Sequence, residues 1–107
     1  MTLDRYAEEK SIEEVALLKV DVEGYEEKVF DGGERMLREK KIGIVYFEVC
    51  PRWARQAGLS PTGAVKKIDD FGYMLCRLGP AGTLETVDWS AAEGVDSENW
   101  VAIAPWI

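Results

Sequence analysis

The segment VALLKVDV at residues 15–22 constrains the fold of this chain more than any other feature. It is apolar almost throughout instead of alternating, which is typical of a strand covered on both faces within a parallel sheet. Gly24 ends it, and residues 25–40 carry acids early and bases late, as suits a helix dipole. A second apolar segment, IGIVYFEV at residues 42–49, follows at the distance that a right-handed β-α-β crossover requires. The sequence therefore predicts two parallel strands joined by a helix.

The remaining segments continue the alternation of helix and strand. Gly32 and Gly33 weaken the first long helix, so we expect a bend or a two-part helix there. An α/β sheet with flanking helices that ends in an antiparallel hairpin is the simplest architecture. The other predicted elements are helices at 2–10 and 61–71, a helical turn at 52–58, strands at 73–78 and 100–104, and a short strand within 83–89.

The first strand has no predicted neighbour on one side. A strand this apolar belongs in the middle of a sheet, yet no earlier segment of the chain can pair with it. Left at an edge, it exposes a row of unpaired backbone groups that invites another chain. The pattern predicts additional strands, supplied by an upstream region or by a second copy.

Composition excludes several classes of function. The net charge of −7, with scattered Lys and Arg, argues against a nucleic-acid partner. We expect no membrane span or secretory signal, because no long apolar run and no charged leader occur. The chain has no His, which excludes Ser-His or Cys-His nucleophiles and the common zinc sites. Cys50 and Cys76 are expected to be free thiols in a reducing cytosol, so we predict a cytoplasmic protein.

Carboxylates follow both predicted central strands. Asp21 and Glu23 stand at the end of the first strand, and Glu48 near the end of the second. Ligands of open α/β sheets bind beyond the carboxyl ends of the strands, so these acids are expected at one rim. Gly24 would allow backbone to approach a ligand closely.

Three other interpretations of these acids remain open. Asp21 and Glu23 could cap the following helix, and Glu48 could be an ordinary paired carboxylate. Together they could also form a site for Mg²⁺ or Ca²⁺, which prefer oxygen ligands. Nearby, Glu26 is expected to be a solvated acid of the first helical turn. The aromatic side chains at 25 and 53 are expected to be packing residues, with contact to a bound cation as the alternative.

A family resemblance emerges from the same segments. The run LLKVDVEGYE, preceded by TLDRY and followed by FEV, resembles the signature of FkbM-type methyltransferases. In that family a T-L-D segment leads to a strand reading K-[IV]-D-[VI]-E-G-x-E, and a later strand ends in a glutamate. The matching residues here are Thr2, Leu3 and Asp4, then Lys19 to Glu26, then Glu48, while residues 99–103 resemble the closing strand.

The resemblance implies a Rossmann-like, S-adenosylmethionine-dependent methyltransferase. It assigns residues 1–107 to strands four to seven, a partial domain without the N-terminal cofactor-binding half and its glycine-rich turn. The implied roles are catalysis for Asp21 and Glu23, cofactor contact for Asp21 and Gly24, and acceptor binding for Glu48. The implied reaction is O-methylation of a small-molecule hydroxyl on a sugar or secondary metabolite, with the fragment inactive alone.

A second function remains open beside this one. The unpaired first strand could make the chain a non-catalytic, homo-oligomerising module, with a homodimer formed by pairing that strand with its copy.

Overall fold

The chain folds into one five-stranded mixed sheet with helices packed against it. The computed structural model describes residues 1–107. The helices are α1 (Leu3–Glu9), α2 (Glu26–Gly32), α3 (Glu34–Arg38), α4 (Pro51–Gln56) and α5 (Gly63–Asp70), with short 3₁₀ helices at Pro80–Gly82 and Trp89–Gly94. The strands are β1 (Val15–Val20), β2 (Ile42–Val49), β3 (Met74–Leu78), β4 (Leu84–Thr86) and β5 (Glu98–Ile103). The prediction of a mixed α/β fold is confirmed.

The predicted β-α-β unit is present at the start of the sheet. β1 and β2 are parallel, with Val20 opposite Phe47. The connection consists of α2 and α3, which meet at Gly33. Of the two expected outcomes the two-part helix is confirmed, since Gly33 is the C-cap of α2 and the N-cap of α3. Because the strands are parallel, their carboxyl ends lie at the same edge of the sheet.

The last strand occupies an internal position in the sheet. The strand order is β1-β2-β5-β3-β4, and β5 is antiparallel to both of its neighbours. β3 and β4 form an antiparallel hairpin, with Leu78 opposite Leu84. The sequence predicted a closing hairpin but not that the final strand would lie between β2 and β3. Local patterns carry no information on this, because the pairing joins segments distant in the chain.

One face of the sheet carries the core. Trp100 and Phe47 are opposite each other on β5 and β2, and both are almost completely buried. Phe30 of α2 packs edge-on against Phe47, with ring centroids 5.5 Å apart and planes at 89°. Such edge-to-face pairs add to the stabilisation from burying the rings themselves. This contact fixes the crossover helix over the centre of the sheet.

The other face carries a row of apolar side chains that is open to solvent. The strand pairings place Leu17, Ile44, Ile103 and Met74 side by side across four strands, and we call these residues the apolar row. Leu17 is 59% exposed and Met74 is 49% exposed. The prediction that β1 is covered on both faces is therefore wrong for residues 1–107. β1 lies at the edge of the sheet, where only Val20 is buried.

Both cysteines are free and buried. Cys76 lies on β3 opposite Val101, and Cys50 follows β2. Burial raises the pKa of the Cys76 thiol, and a hydrogen bond with Thr86 opposes this in part. A thiol held neutral in this way is a poor nucleophile.

Candidate functional site

The carboxyl ends of β1 and β2 bring two of the predicted acids together. Asp21 follows the last residue of β1, and Glu48 lies one residue before the end of β2. Both line a cleft of about 190 Å³, which we call the Asp21–Glu48 cleft. Lys19, Tyr46 and Asn99 complete its lining together with Val20. The expectation that the two strand ends share one rim agrees with this geometry.

Glu48 is held by a hydroxyl rather than by a cation. The Ser97 hydroxyl donates to Glu48 Oε2 at 3.2 Å, from the loop that precedes β5. Glu48 is half-buried, and it forms no ion pair. One carboxylate oxygen is thereby oriented, and the other is free to accept a hydrogen bond within the cleft.

Glu23 lies at a separate cleft. This second cleft has a volume of about 280 Å³, and its lining includes Val22, Glu23, Tyr25 and Trp53. Asp21 and Glu48 are not among its residues. No group of three or more acidic, Cys or His side chains is arranged to hold a metal ion. The interpretation of Asp21, Glu23 and Glu48 as one divalent-cation site is therefore wrong.

Neither acid of the β1 loop caps the following helix. Helix α2 begins after Tyr25, whose own side chain makes no capping hydrogen bond. The capping interpretation of Asp21 and Glu23 is wrong, because neither carboxylate accepts a hydrogen bond from α2 and the loop turns through left-handed residues before the helix begins. Glu23 has φ 48° and Gly24 has φ 100°. Both carboxylates are exposed and unpaired.

Glu26 holds this loop in place by hydrogen bonds to its backbone, and it is the buried acidic residue of the chain. Its side chain is 6% exposed, so the prediction of a solvated first-turn acid is wrong. The Val22 N–H donates to Glu26 Oε2 at 3.3 Å, and the Gly24 N–H donates to Oε1 at 3.1 Å. The carboxylate thus satisfies two backbone donors that the loop would otherwise leave buried. The available sequence signal was the second Glu of E-G-Y-E, which the turn at Gly24 brings back against its own loop.

The pKa of Glu26 lies above its ordinary value. Burial of the carboxylate is the main cause, and the charge of Glu48 adds to it. Hydrogen bonds from the backbone of residues 26, 22 and 24 act in the opposite direction. Burial therefore disfavours ionisation of the carboxylate around which the loop folds, whereas hydrogen bonds from the backbone favour it.

Glu26→Gln should change how stability depends on pH. A carboxylate with a raised pKa in the folded state contributes fully below its ordinary value of 4.5, and that contribution is lost as pH rises through the raised pKa. Glutamine does not titrate, and its amide N–H₂ cannot accept from the Val22 N–H. We expect the wild type to exceed Glu26→Gln in unfolding free energy by more at pH 4 than at pH 7. Urea denaturation of both proteins at each pH measures this, and an equal difference at the two pH values would contradict it.

Gly24 is required by contact as well as by conformation. A Cβ at this position would overlap the Trp53 carbonyl and lie 2.9 Å from the Ala54 nitrogen. The loop therefore packs directly on the backbone of α4. This close approach fixes the loop between β1 and α2 against the segment that follows β2.

Gly24→Ala should destabilise the chain by more than Gly58→Ala. Both glycines have positive φ, but a Cβ on Gly58 would meet nothing within 4 Å. Strain alone costs about 1–3 kcal/mol, and Gly24→Ala adds the clash with α4. The two urea midpoints give the comparison. Equal losses of stability in the two variants would mean that the backbone at Trp53 moves away from the added methyl group without a cost in free energy.

The two aromatic residues near the rim differ in their surroundings. Tyr25 is 52% exposed, so its interpretation as a packing residue is wrong. Trp53 is half-buried on α4, and the Arg52 guanidinium lies 5.9 Å from its ring centroid. Tyr25 and Trp53 line the same cleft as Glu23. An exposed aromatic beside a carboxylate suits a cationic ligand.

Asp4 of the T-L-D segment has a structural role. Its two carboxylate oxygens accept from the Arg35 N–H at 2.8 Å and the Met36 N–H at 3.0 Å. These donors lie in the first turn of α3, where a negative charge is stabilising. Asp4 therefore joins α1 to the crossover and lies outside the clefts at the rim.

Comparison with known proteins identifies the family of the chain. A family model described as the Methyltransferase FkbM domain matches residues 1–79. That range contains α1 to α5, β1 to β3 and every predicted rim residue. No curated protein and no solved structure matches the chain. None of the helices has the length and apolar character needed to cross a membrane.

Proposed function

Because the chain belongs to the FkbM methyltransferase family, we propose that it takes part in S-adenosylmethionine-dependent methylation of a small-molecule hydroxyl. The acceptor class that we propose is a sugar or a secondary metabolite, and the proposed location is the cytoplasm. The family match supports methyl transfer. The choice of a hydroxyl acceptor rests on the acids of the rim.

The observation that carries the proposal is the Asp21–Glu48 cleft. It lies at the carboxyl ends of two parallel strands, where open α/β sheets bind their ligands. It combines one unpaired carboxylate with one that is oriented by Ser97. A hydroxyl acceptor needs a group that takes its proton, and without His in the chain a carboxylate is the suitable candidate.

The residues present fit the cationic end of S-adenosylmethionine. Asp21 and Glu23 are exposed and have no ion-pair partner, so both can face a positive charge. Tyr25 and Trp53 offer aromatic surface beside Glu23. Gly24 belongs to the same loop, between Glu23 and Tyr25, and packs against the backbone of α4. We propose that Asp21 and Gly24 contact the cofactor.

In the proposed mechanism the chain positions the acceptor and removes its proton. S-Adenosylmethionine, when bound, would supply a methyl group on a sulfonium sulfur, and attack of an oxygen nucleophile on the methyl carbon would release that sulfur as a neutral thioether. Glu48 binds the acceptor, and Asp21 accepts the hydroxyl proton as the oxygen–carbon bond forms and the carbon–sulfur bond breaks. Glu23 is the alternative base, from its neighbouring cleft. Glu26 keeps the β1 loop in place through the Val22 and Gly24 N–H groups.

We further propose that residues 1–107 are the C-terminal half of a Rossmann-like domain. The parallel β1–β2 pair, the crossover helices and the antiparallel β5 support this assignment. In such a domain the cofactor is held mainly by a glycine-rich turn after another strand. We therefore expect residues 1–107 alone to be inactive and to bind the cofactor weakly.

Transfer of radiolabelled methyl groups tests this proposal. S-Adenosylmethionine is the donor, and a panel of hydroxyl, amine and carboxylic acid compounds supplies the acceptors. We expect transfer to hydroxyls by the polypeptide that joins residues 1–107 to the remaining strands of the domain, and none by residues 1–107 alone. Transfer only to amines would contradict the proposed acceptor class, and no transfer to any acceptor by the folded complete domain would contradict the function.

A further inference from the structure

The second cleft at the rim has a lining that suits a positive charge. The residues that line it are Val22, Glu23, Tyr25, Trp53, Gln56 and Ala57. We call it the Glu23 cleft and propose that it binds an ammonium group of the methyl acceptor, a hydroxyl compound that also carries a protonated or quaternary amine. The identity of the ligand as the acceptor rests on the proposed function, but ammonium binding by the cleft can be tested without methyl transfer.

The Glu23 cleft combines one free negative charge with two aromatic rings. Glu23 is exposed and forms no ion pair, and the lining contains no Lys or Arg that could neutralise it. Tyr25 is exposed, and Trp53 is half-buried. The faces of aromatic rings attract cations, and a carboxylate beside them adds a charge-assisted hydrogen bond to an ammonium N–H. This combination favours an organic cation over a neutral group of the same size.

No cation of the chain itself fills the cleft. The Arg52 guanidinium lies 5.9 Å from the centroid of the Trp53 ring, within the distance at which a ring attracts a cation. Arg52 is exposed and is not among the residues that line the Glu23 cleft. Gln56 adds a side-chain carbonyl, which can accept a hydrogen bond from an ammonium N–H. The cleft therefore offers groups that a bound ammonium ion could contact.

The positive charge of the cofactor belongs to the other cleft. Methyl transfer needs the acceptor oxygen about 3–3.5 Å from the methyl carbon on the sulfonium. The base that we propose, Asp21, lines the Asp21–Glu48 cleft and not the Glu23 cleft. The Asp21–Glu48 cleft also contains an amine of the chain, Lys19, whereas the Glu23 cleft has no basic residue. A second positive group, carried by the acceptor, therefore fits the Glu23 cleft.

The two clefts are close enough for one small molecule to reach both. Asp21 and Glu23 are two residues apart in the chain, so their Cα atoms are separated by at most about 7 Å. A sugar ring or a short aliphatic chain between the hydroxyl and the amine of an acceptor spans such a distance. With its hydroxyl beside Asp21, the acceptor can place its ammonium group beside Glu23.

Binding of choline tests the ammonium site directly. Choline and 3,3-dimethylbutan-1-ol have nearly the same shape and both carry a hydroxyl, but only choline is charged. Titration of residues 1–107 followed by nuclear magnetic resonance should give a Kd about fivefold lower for choline at low salt, as contacts with one exposed charge and one ring allow. The ratio should fall at high salt, because ions screen exposed charges. Equal affinity for the two compounds at low salt would overturn the proposal.

Substitutions of Tyr25 test whether its ring contacts the cation. Tyr25→Leu removes the aromatic face, and we expect it to reduce the preference for choline about threefold. Tyr25→Phe retains the ring and is the matched control, so its preference should equal that of the wild type. Tyr25 is exposed and makes no capping hydrogen bond, so both variants should fold. A preference that Tyr25→Leu leaves unchanged would overturn the proposed site.

Glu23→Gln tests the contribution of the carboxylate. Loss of this charge should reduce the preference for choline about threefold. Glu93→Gln is the control, since it removes an exposed charge from the 3₁₀ helix Trp89–Gly94, outside the cleft. Circular dichroism verifies that each variant is folded. An equal reduction in both variants would mean that choline responds only to the net charge of the protein, which would overturn the proposed site.

Transfer kinetics of the complete domain test whether the ammonium group belongs to the acceptor. Two pairs of compounds are compared at pH 7: glucosamine with N-acetylglucosamine, and tyramine with N-acetyltyramine. Mass spectrometry locates the added methyl group on oxygen. In the pair that resembles the true acceptor, the amine should have a KM about fivefold lower and a similar kcat, because its ammonium group binds but does not react. Equal KM values within both pairs would overturn the proposal.

Two further results separate this proposal from the proposed function. Competition between choline and S-adenosylmethionine for the complete domain would assign the Glu23 cleft to the cofactor and overturn the proposal. Selective choline binding without methyl transfer to any compound would contradict the proposed function and support the ammonium site on its own.

Discussion

Replacing Trp100 by alanine should bring the chain to the limit of its stability. The indole is fully buried at the centre of β5, opposite Phe47 on one side and Arg77 on the other. Truncating a buried Trp costs about 3–5 kcal/mol through lost transfer energy and the cavity left behind. A chain of this size has a total stability of about 5–15 kcal/mol. This loss of free energy would therefore be a large part of the total stability, and we expect a large unfolded population at 37 °C.

The indole also anchors a polar contact. Trp100 Nε1 donates to Glu98 Oε1 at 3.0 Å, and Arg77 Nε donates to the same oxygen at 2.6 Å. The bond from Trp100 is the largest influence that lowers the pKa of Glu98, and Arg77 lowers it further. Removing the indole leaves Glu98 with Arg77 as its remaining partner. The cost of Trp100→Ala thus includes the loss of a hydrogen bond to a charged acceptor.

Thermal and urea denaturation followed by far-ultraviolet circular dichroism measures the effect. Trp100→Phe retains most of the apolar volume and loses the indole N–H, so we expect it to cost less than Trp100→Ala. Trp106→Ala is the control, because Trp106 is 49% exposed near the end of the chain. A loss of less than about 1 kcal/mol for Trp100→Ala would contradict the position of Trp100 in the core.

Asp21→Asn should lower the rate of methyl transfer about 10²–10⁴-fold in the complete domain. Asparagine has nearly the size of aspartate, but its amide cannot take up the proton that the substrate hydroxyl releases. Asp21 is exposed at the end of β1 and makes no hydrogen bond that would support the fold. We therefore expect no loss of stability, and the effect should be confined to turnover.

The matched control is Asp69→Asn. Asp69 is exposed near the C-terminal end of α5 and lines neither of the two clefts that contain Asp21 and Glu23. The control should retain activity within about twofold, as surface substitutions usually do. Glu48→Gln should raise KM more than it lowers kcat if Glu48 binds the acceptor. Wild-type turnover in Asp21→Asn would remove Asp21 from the proposed mechanism and leave Glu23 as the candidate base.

The local elements of this fold were predictable from the sequence because their causes are local. The apolar runs at 15–22 and 42–49, with a helix between them, led directly to the β-α-β unit and to a common edge for Asp21 and Glu48. The glycine pair at 32 and 33 similarly predicted the break between α2 and α3. In each case the pattern and the structure it determines lie within one short segment.

The features that sequence analysis missed depend on distant segments. The insertion of β5 between β2 and β3 depends on pairing with β2, which joins residues as far apart in the chain as Ile44 and Ile103. The burial of Glu26 depends on a left-handed turn at Glu23 and Gly24 that folds the loop onto its own side chain. The separation of Glu23 from Asp21 has the same origin, since the turn directs them to different clefts. None of these three features can be deduced from helical or strand periodicity.

The internal position of β5 has a consequence for how the chain assembles during synthesis. Until Glu98–Ile103 leave the ribosome, the β1–β2 pair and the β3–β4 hairpin have no strand to join them. Each can form early, but each exposes the edge that β5 will later occupy until β5 itself has been translated. Folding that depends on such distant pairings is slow, so the nascent chain stays open to wrong partners longest at this seam. A chain truncated before residue 98 would contain the β1–β2 pair and the β3–β4 hairpin but lack the strand that joins them into one sheet.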